Sequence, residues 1–120
     1  MRRPSAAQWP ILVWAVVAWT TVRLQLLAHR RWQSVQLPPP PRGALADTWV
    51  VEATLRRLSA SCLPRALVLQ RWLLARGEPR DVVVGVANQP SFRAHAWLDG
   101  ASDGEGFHEL SRRPALASPQ

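Results

Sequence analysis

The chain has 120 residues, a formal net charge of +7 and 48% hydrophobic residues, which fits one small folded domain rather than a disordered polypeptide. Its one cysteine, Cys62, excludes an internal disulfide, and with only three scattered histidines it also excludes the usual Cys-based zinc spacings. Every basic residue is Arg, and they are spread from Arg2 to Arg113 as singles and pairs rather than along one stripe. That distribution argues for a basic solvated surface before an acidic peptide partner, and against nucleic acid.

Trp9 to Val22 is an uncharged, mainly apolar run of 14 residues, followed by Arg23 and then Leu24 to Leu27. As a helix the run covers roughly 21 Å, short of a hydrocarbon core of ~30 Å. Arg2 and Arg3 in front imitate a signal peptide, but no small-residue cleavage site follows. The expectation is an apolar helix packed on the domain or on a partner, with a membrane anchor as the alternative. Pro38 to Pro41 then break any helix and favour an extended linker that closes with Arg42 and Gly43. Ala44 to Leu58 is helical in pattern, with Trp49, Ala53 and either Val50 or Leu58 as the buried stripe.

Ser59 to Arg65 has the character of a helix start, with Ser61 as a cap candidate and Pro64 in the first turn. Leu63, Ala66, Leu67, Gln70, Leu73 and Leu74 recur at helical spacing, and Gly77 sits where a helix-ending glycine belongs. Cys62 thus falls at the N-terminal end of a buried helix. Asp81 to Val86 reads as a central strand apolar on both faces, and Asn88 to Ser91 as a turn. In the strand from Phe92 to Asp99, His95 and Trp97 share a face. A loop over 100–104 leads to a third strand near Gly106 to Leu110, and a frayed tail from Arg112 onward.

A cysteine at a helix start, a histidine on a strand and an acid beyond it are the parts of a thiol hydrolase. Helix-terminal N–H groups favour the thiolate, an imidazole takes and returns the proton, and a carboxylate orients the imidazole. Asp99, Asp103, Glu105 and Glu109 compete for the acid. Asp99 lies four residues along the strand from His95, roughly 13 Å at ~3.3 Å per residue. A hairpin looping over 100–104 would pair Trp97 with Phe107 and set Glu109 opposite His95, whereas a two-residue Asp103-Gly104 turn would set Arg112 there. The hairpin reading selects Glu109. Trp97 is then a packing partner of Phe107, His108 faces the other way as a bystander, and Arg65 is a solvated or ion-paired residue.

The run from Cys62-Leu63-Pro64-Arg65 to Gly77 resembles the nucleophile helix of the lasso-peptide leader peptidases, transglutaminase-like cysteine proteases of microcin-type peptide maturation. Val82 to Val86 is similar to that family's next strand, and Phe92-Arg93-Ala94-His95-Ala96-Trp97-Leu98 to its His-Ala-Trp strand, in the same order and spacing. Family members resembling this chain carry Asp where Glu109 is selected. The resemblance implies an α+β, small transglutaminase-like (papain-like) fold, with the nucleophile helix on an antiparallel sheet and an apolar helix in front. It implies residues 1–43 as helix and linker, 44–113 as the catalytic domain and 114–120 as a disordered tail. Cys62, His95 and Glu109 would form the triad, without metal or organic cofactor. The implied partners are a precursor peptide, a separate leader-recognition protein and an ATP-using lasso cyclase, in a bacterial cytoplasm. Acyl transfer to amines, amidase action on another substrate, or a non-catalytic scaffold are the competing readings.

Overall fold

A computed structural model describes residues 3–42 and 45–115, and its first helix, α1, spans Trp9–Leu27 as the apolar run predicts. Pro10 sits in the first turn, where a missing N–H costs nothing. Ile11, Trp14, Ala15, Ala18 and Val22 are buried in the same core as Val50, Leu67 and Trp72. The Trp14 and Trp72 rings lie 5.8 Å apart. The helix therefore docks on the domain itself.

The proline-rich segment is laid back along this helix rather than hanging free. The Trp14 indole N–H donates to the Pro38 carbonyl at 3.1 Å, and the Gln25 side chain brackets the Gln36 backbone through its carbonyl and N–H. Val35 is fully buried. On either side of the expected division between 43 and 44 the described residues share one hydrophobic core, and residues 43 and 44 themselves lie outside the described residues.

Helix α2 spans Thr48–Arg57 and buries Val50, Val51, Thr54 and Leu55. The expected stripe is therefore rotated: Val50 is buried, while Trp49 and Ala53 are only partly covered. Packing against both α1 and α3 centres the buried sector on Val51 and Leu55. The Thr54 hydroxyl donates to the Val50 carbonyl within the helix, so its burial leaves nothing unpaired.

Helix α3 spans Cys62–Ala75 and lies between α1 and the sheet. It is buried on more than one side, through Leu67, Val68, Leu69, Trp72 and Leu73, and Leu63 and Leu74 of the expected stripe are only partly covered. Buried Gln70 donates from its amide to the carbonyls of Arg80 and Arg113, pinning the start of one strand and the end of another to the helix. Gly77, at φ +78°, terminates the helix as its position predicts.

Strands β1 (Val82–Ala87), β2 (Arg93–Leu98) and β3 (His108–Arg113) form one antiparallel sheet in the order β2-β1-β3. β1 is central, as its apolar run predicts. The expected hairpin between β2 and β3 does not form. Gly85 pairs with His95 on one side and with Glu109 on the other, so a whole strand separates those two residues. Arg112 and Arg113 belong to β3 rather than to a frayed tail, and Ala115 is buried with its N–H donated to Asp81 at 3.0 Å. Residues 116–120 of the expected tail lie outside the described residues.

Since β2 and β3 both run antiparallel to β1, residues 99–107 travel from the Val82 end of β1 to its Val86 end. This connection lies over the sheet face that bears His95 and Trp97, and carries a single 3-10 turn, Ser102–Gly104.

Candidate active site

Cys62 is the first residue of α3 and is half-buried and free. Ser61 has the extended backbone of a cap, φ −71° and ψ 168°, but its hydroxyl makes no capping bond. Its carbonyl accepts the Arg65 N–H at 3.0 Å. The Cys62 N–H is one of the first-turn donors that the helix itself leaves without a partner, and the dipole places partial positive charge beside the thiol.

His95 sits on the edge strand β2 within a set of rings. The Trp97 indole is stacked on its imidazole with centroids 5.8 Å apart and planes 18° apart, and Phe107 lies 5.2 Å away. Trp97 and Phe107 are themselves 5.9 Å apart, which realises the expected aromatic pair without the hairpin that suggested it. The Arg93 guanidinium lies over the other partner of this set, 5.1 Å from the Phe107 centroid.

Asp103, on the crossing turn, meets His95 directly, with 3.0 Å between Nε2 and Oδ2. An ionised carboxylate only accepts hydrogen bonds, so against one Nε2 is the donor of this contact, and Nδ1 is the ring nitrogen turned away from the acid. Gly104 makes the approach feasible. A Cβ there would collide with the Trp97 indole, so the turn rests flat on the ring that also stacks on His95. Beneath the same indole lies Gly85, where a Cβ would come within 2.8 Å of Trp97 Cη2 and 2.5 Å of the His108 carbonyl oxygen.

Glu109 does not reach this cluster. Arg112 donates to both its carboxylate oxygens, at 2.7 and 2.6 Å, and this pairing holds the Glu109 carboxyl below its usual range. The same Arg112 donates to Asp81 at 2.8 Å and to Asp99 at 3.4 Å. Two carboxylate partners that accept hydrogen bonds push its pKa upward, so it stays charged. Glu109, Asp99 and Asp81 thus share one cation away from His95. Glu105 and His108 are exposed.

Cys62 and Asp103 line one small cavity of about 130 Å³ together with Arg65, Leu69 and Trp97. Glu52 of α2 lines it as well. Sequence reasoning did not pick out Glu52, because a single charge on the polar side of a helix resembles any solvated residue. Asp103 is among the competing acids, set aside in the sequence as a loop residue farther along the chain from His95 than Asp99, with the hairpin register favouring Glu109. β3 begins at His108 rather than near Gly106, so the connection over 99–107 is longer than the 100–104 loop the hairpin needs.

His95 is not among the residues lining the cavity that Cys62 shares with Asp103; it meets Asp103 from beside it, so the acid is what links the imidazole to the thiol's cavity. A thiol at a helix start with an acid-held imidazole is the equipment of a thiol nucleophile. Among the described residues no cluster of His, Cys, Asp and Glu could hold a metal ion. A family model described as transglutaminase-like superfamily matches residues 9–115. Comparison with curated proteins and with solved structures finds no match.

Proposed function

Because this chain belongs to the transglutaminase-like superfamily, we propose that it is a cysteine peptidase that removes the leader from a ribosomally made lasso-peptide precursor. The observation that carries the peptidase reading is the His95–Asp103 contact beside the cavity that Cys62 lines. The narrower substrate rests on Cys62-Leu63-Pro64-Arg65 occurring together with His95-Ala96-Trp97, the combination that resembles the leader peptidases. Asp103 takes the role of the acid in this proposal, and Glu109 is released from it.

In the proposed reaction Nδ1 of His95 takes the Cys62 proton, and the thiolate attacks the carbonyl carbon of the last leader residue. The negative oxygen of the tetrahedral intermediate accepts from the Cys62 N–H. The imidazolium returns its proton to the departing amine as the C–N bond breaks, which releases the core peptide and leaves a thioester. Water, deprotonated by His95, then hydrolyses the thioester and restores the thiol. Asp103 stabilises the imidazolium in both halves. The protein works in trans, with a leader-recognition protein presenting the precursor and a cyclase consuming the freed amine, inside the cell.

The test is incubation of the full chain with precursor peptide, with and without the recognition protein, followed by mass spectrometry. Cleavage accelerated by that protein and abolished by Cys62→Ala is the expected result. Undiminished cleavage by Cys62→Ala overturns the assignment. Incorporation of an added amine into the peptide without leader release would identify an acyltransferase instead.

A further inference from the structure

α1 is apolar on the side that faces away from the core as well as on the side that builds it. Trp9, Val13, Val17, Leu24 and Leu27 are 53, 54, 48, 62 and 67% exposed. At about 100° per residue these five fall within about 80° of one another, along a helix of about 28 Å. Thr20 shares the sector and spends its hydroxyl on the Val16 carbonyl at 2.8 Å. Beside the first half of this stripe runs Pro38 to Pro41, and the two form an open apolar groove of about 720 Å³. A helix that is apolar all round belongs in a core or in lipid.

The charge around this face identifies what covers it. Six of the fifteen basic residues, Arg2, Arg3, Arg23, Arg30, Arg31 and Arg42, precede Asp47, and Asp47 is the first acidic residue of the chain. Nearly all of the +7 net charge therefore resides in α1 and its flanks. Arg3 precedes the helix, Arg30 and Arg31 follow it, and all three are exposed. Arg23 flanks the stripe, with its guanidinium 5.1 Å from the Trp19 ring centroid. An apolar strip with arginines at both ends matches hydrocarbon bordered by phosphate, and the carboxylate that touches the start of α1, Asp47, is engaged by the Gln8 amide at 2.9 Å.

Residues Ala6–Leu27 are long and apolar enough to cross a bilayer. Crossing, however, would pull Ile11, Trp14, Ala15, Ala18 and Val22 out of the core they share with Leu67 and Trp72. We infer that α1 docks this protein in the plane of an anionic lipid surface, its outer face at the headgroup–acyl boundary and its flanking arginines on the lipid phosphates.

Vesicle flotation of the full chain tests this, using phosphatidylcholine vesicles with and without phosphatidylglycerol. The protein is expected to float with the anionic vesicles, to float poorly with neutral ones, and to be released by alkaline carbonate. Val13→Glu/Val17→Glu should lower flotation by about tenfold or more with an unchanged circular dichroism spectrum. Arg30→Gln/Arg31→Gln, which leaves the apolar face intact, should weaken flotation on the anionic vesicles alone. No flotation with phosphatidylglycerol, or equal flotation of the Val13→Glu/Val17→Glu variant, overturns the inference. Retention after carbonate would show a spanning helix and overturn it too. So would a dimer in solution that the glutamates split while no vesicle binds.

Discussion

His95 and Glu109 stand on opposite sides of Gly85, and the carboxylate that touches the histidine is Asp103 of the crossing turn. Asp103 meets His95 at 3.0 Å, while Glu109 is occupied by Arg112. Loss of an orienting carboxylate destabilises the imidazolium and leaves substrate binding largely intact. Asp103→Asn should therefore lower kcat by about 10²–10⁴ with little change in KM. Glu109→Gln should cleave at nearly the wild-type rate. Steady-state kinetics on a precursor peptide reads both, and a crippled Glu109→Gln beside a healthy Asp103→Asn would return the acid to β3. Asp81 supplies a second residue-level expectation. It accepts from the Ala115 N–H and from Arg112, and these bonds, in that order, hold its carboxyl below the usual range. A lowered folded-state pKa contributes stability that is fully present above the ordinary carboxylate value and is lost as pH falls through the folded one. Asp81→Asn should thus melt below wild type at neutral pH, with the difference closing as pH falls below the ordinary carboxylate value and through the lowered Asp81 value. A difference in Tm that stays constant across that range would show that Asp81 acts through shape alone.

Among the elements, the turn that carries Asp103 depends on the ring it rests on. Gly104→Ala forces a methyl group against the Trp97 indole. Relief of that clash moves the turn off the ring, at a stability cost of about 1–3 kcal/mol. With Asp103 displaced, kcat should fall by about 10–100-fold. In the Asp103→Asn background the same substitution should cost stability and almost no further kcat, because the two act through one contact. Additive losses in kcat would mean that Gly104 matters for another reason. The helices were legible because their signals are local. Pro10, the 14 uncharged residues from Trp9 and Gly77 mark α1 and α3 without knowledge of anything distant. The rotation of α2 was not legible, since Val51 and Leu55 are selected by two neighbours and not by the residues of α2. Strand identities were readable from Val82–Ala87 and from the alternation around His95. Their order was not, because a run of residues says which segments extend and little about which of them pair. Cys62 and His95 could therefore be singled out one at a time, whereas the acid depended on pairing across the sheet.

For the molecule as a whole, α3 is the common wall. One side meets α1 through Trp72 and Trp14, the other meets β1 and β2, and Gln70 fastens it to the Arg80 and Arg113 carbonyls. The family match, from residue 9 to 115, takes in this buried first helix.

The path of residues 99–107 across the sheet also orders events in time. β2 and β3 do not pair, and the turn bearing Asp103 rests on β2 itself, against Trp97 and on His95 only eight residues away. Contacts of long sequence separation are the slower ones to close. In stopped-flow refolding, the proposed peptidase activity should therefore return together with tryptophan burial around Trp72, and a separate, later phase of activity would show the crossing to set after the core. A chain emerging from the ribosome would then carry Cys62 before it carries the means to activate it, and its thiol would stay quiet until His95 and Asp103 have followed.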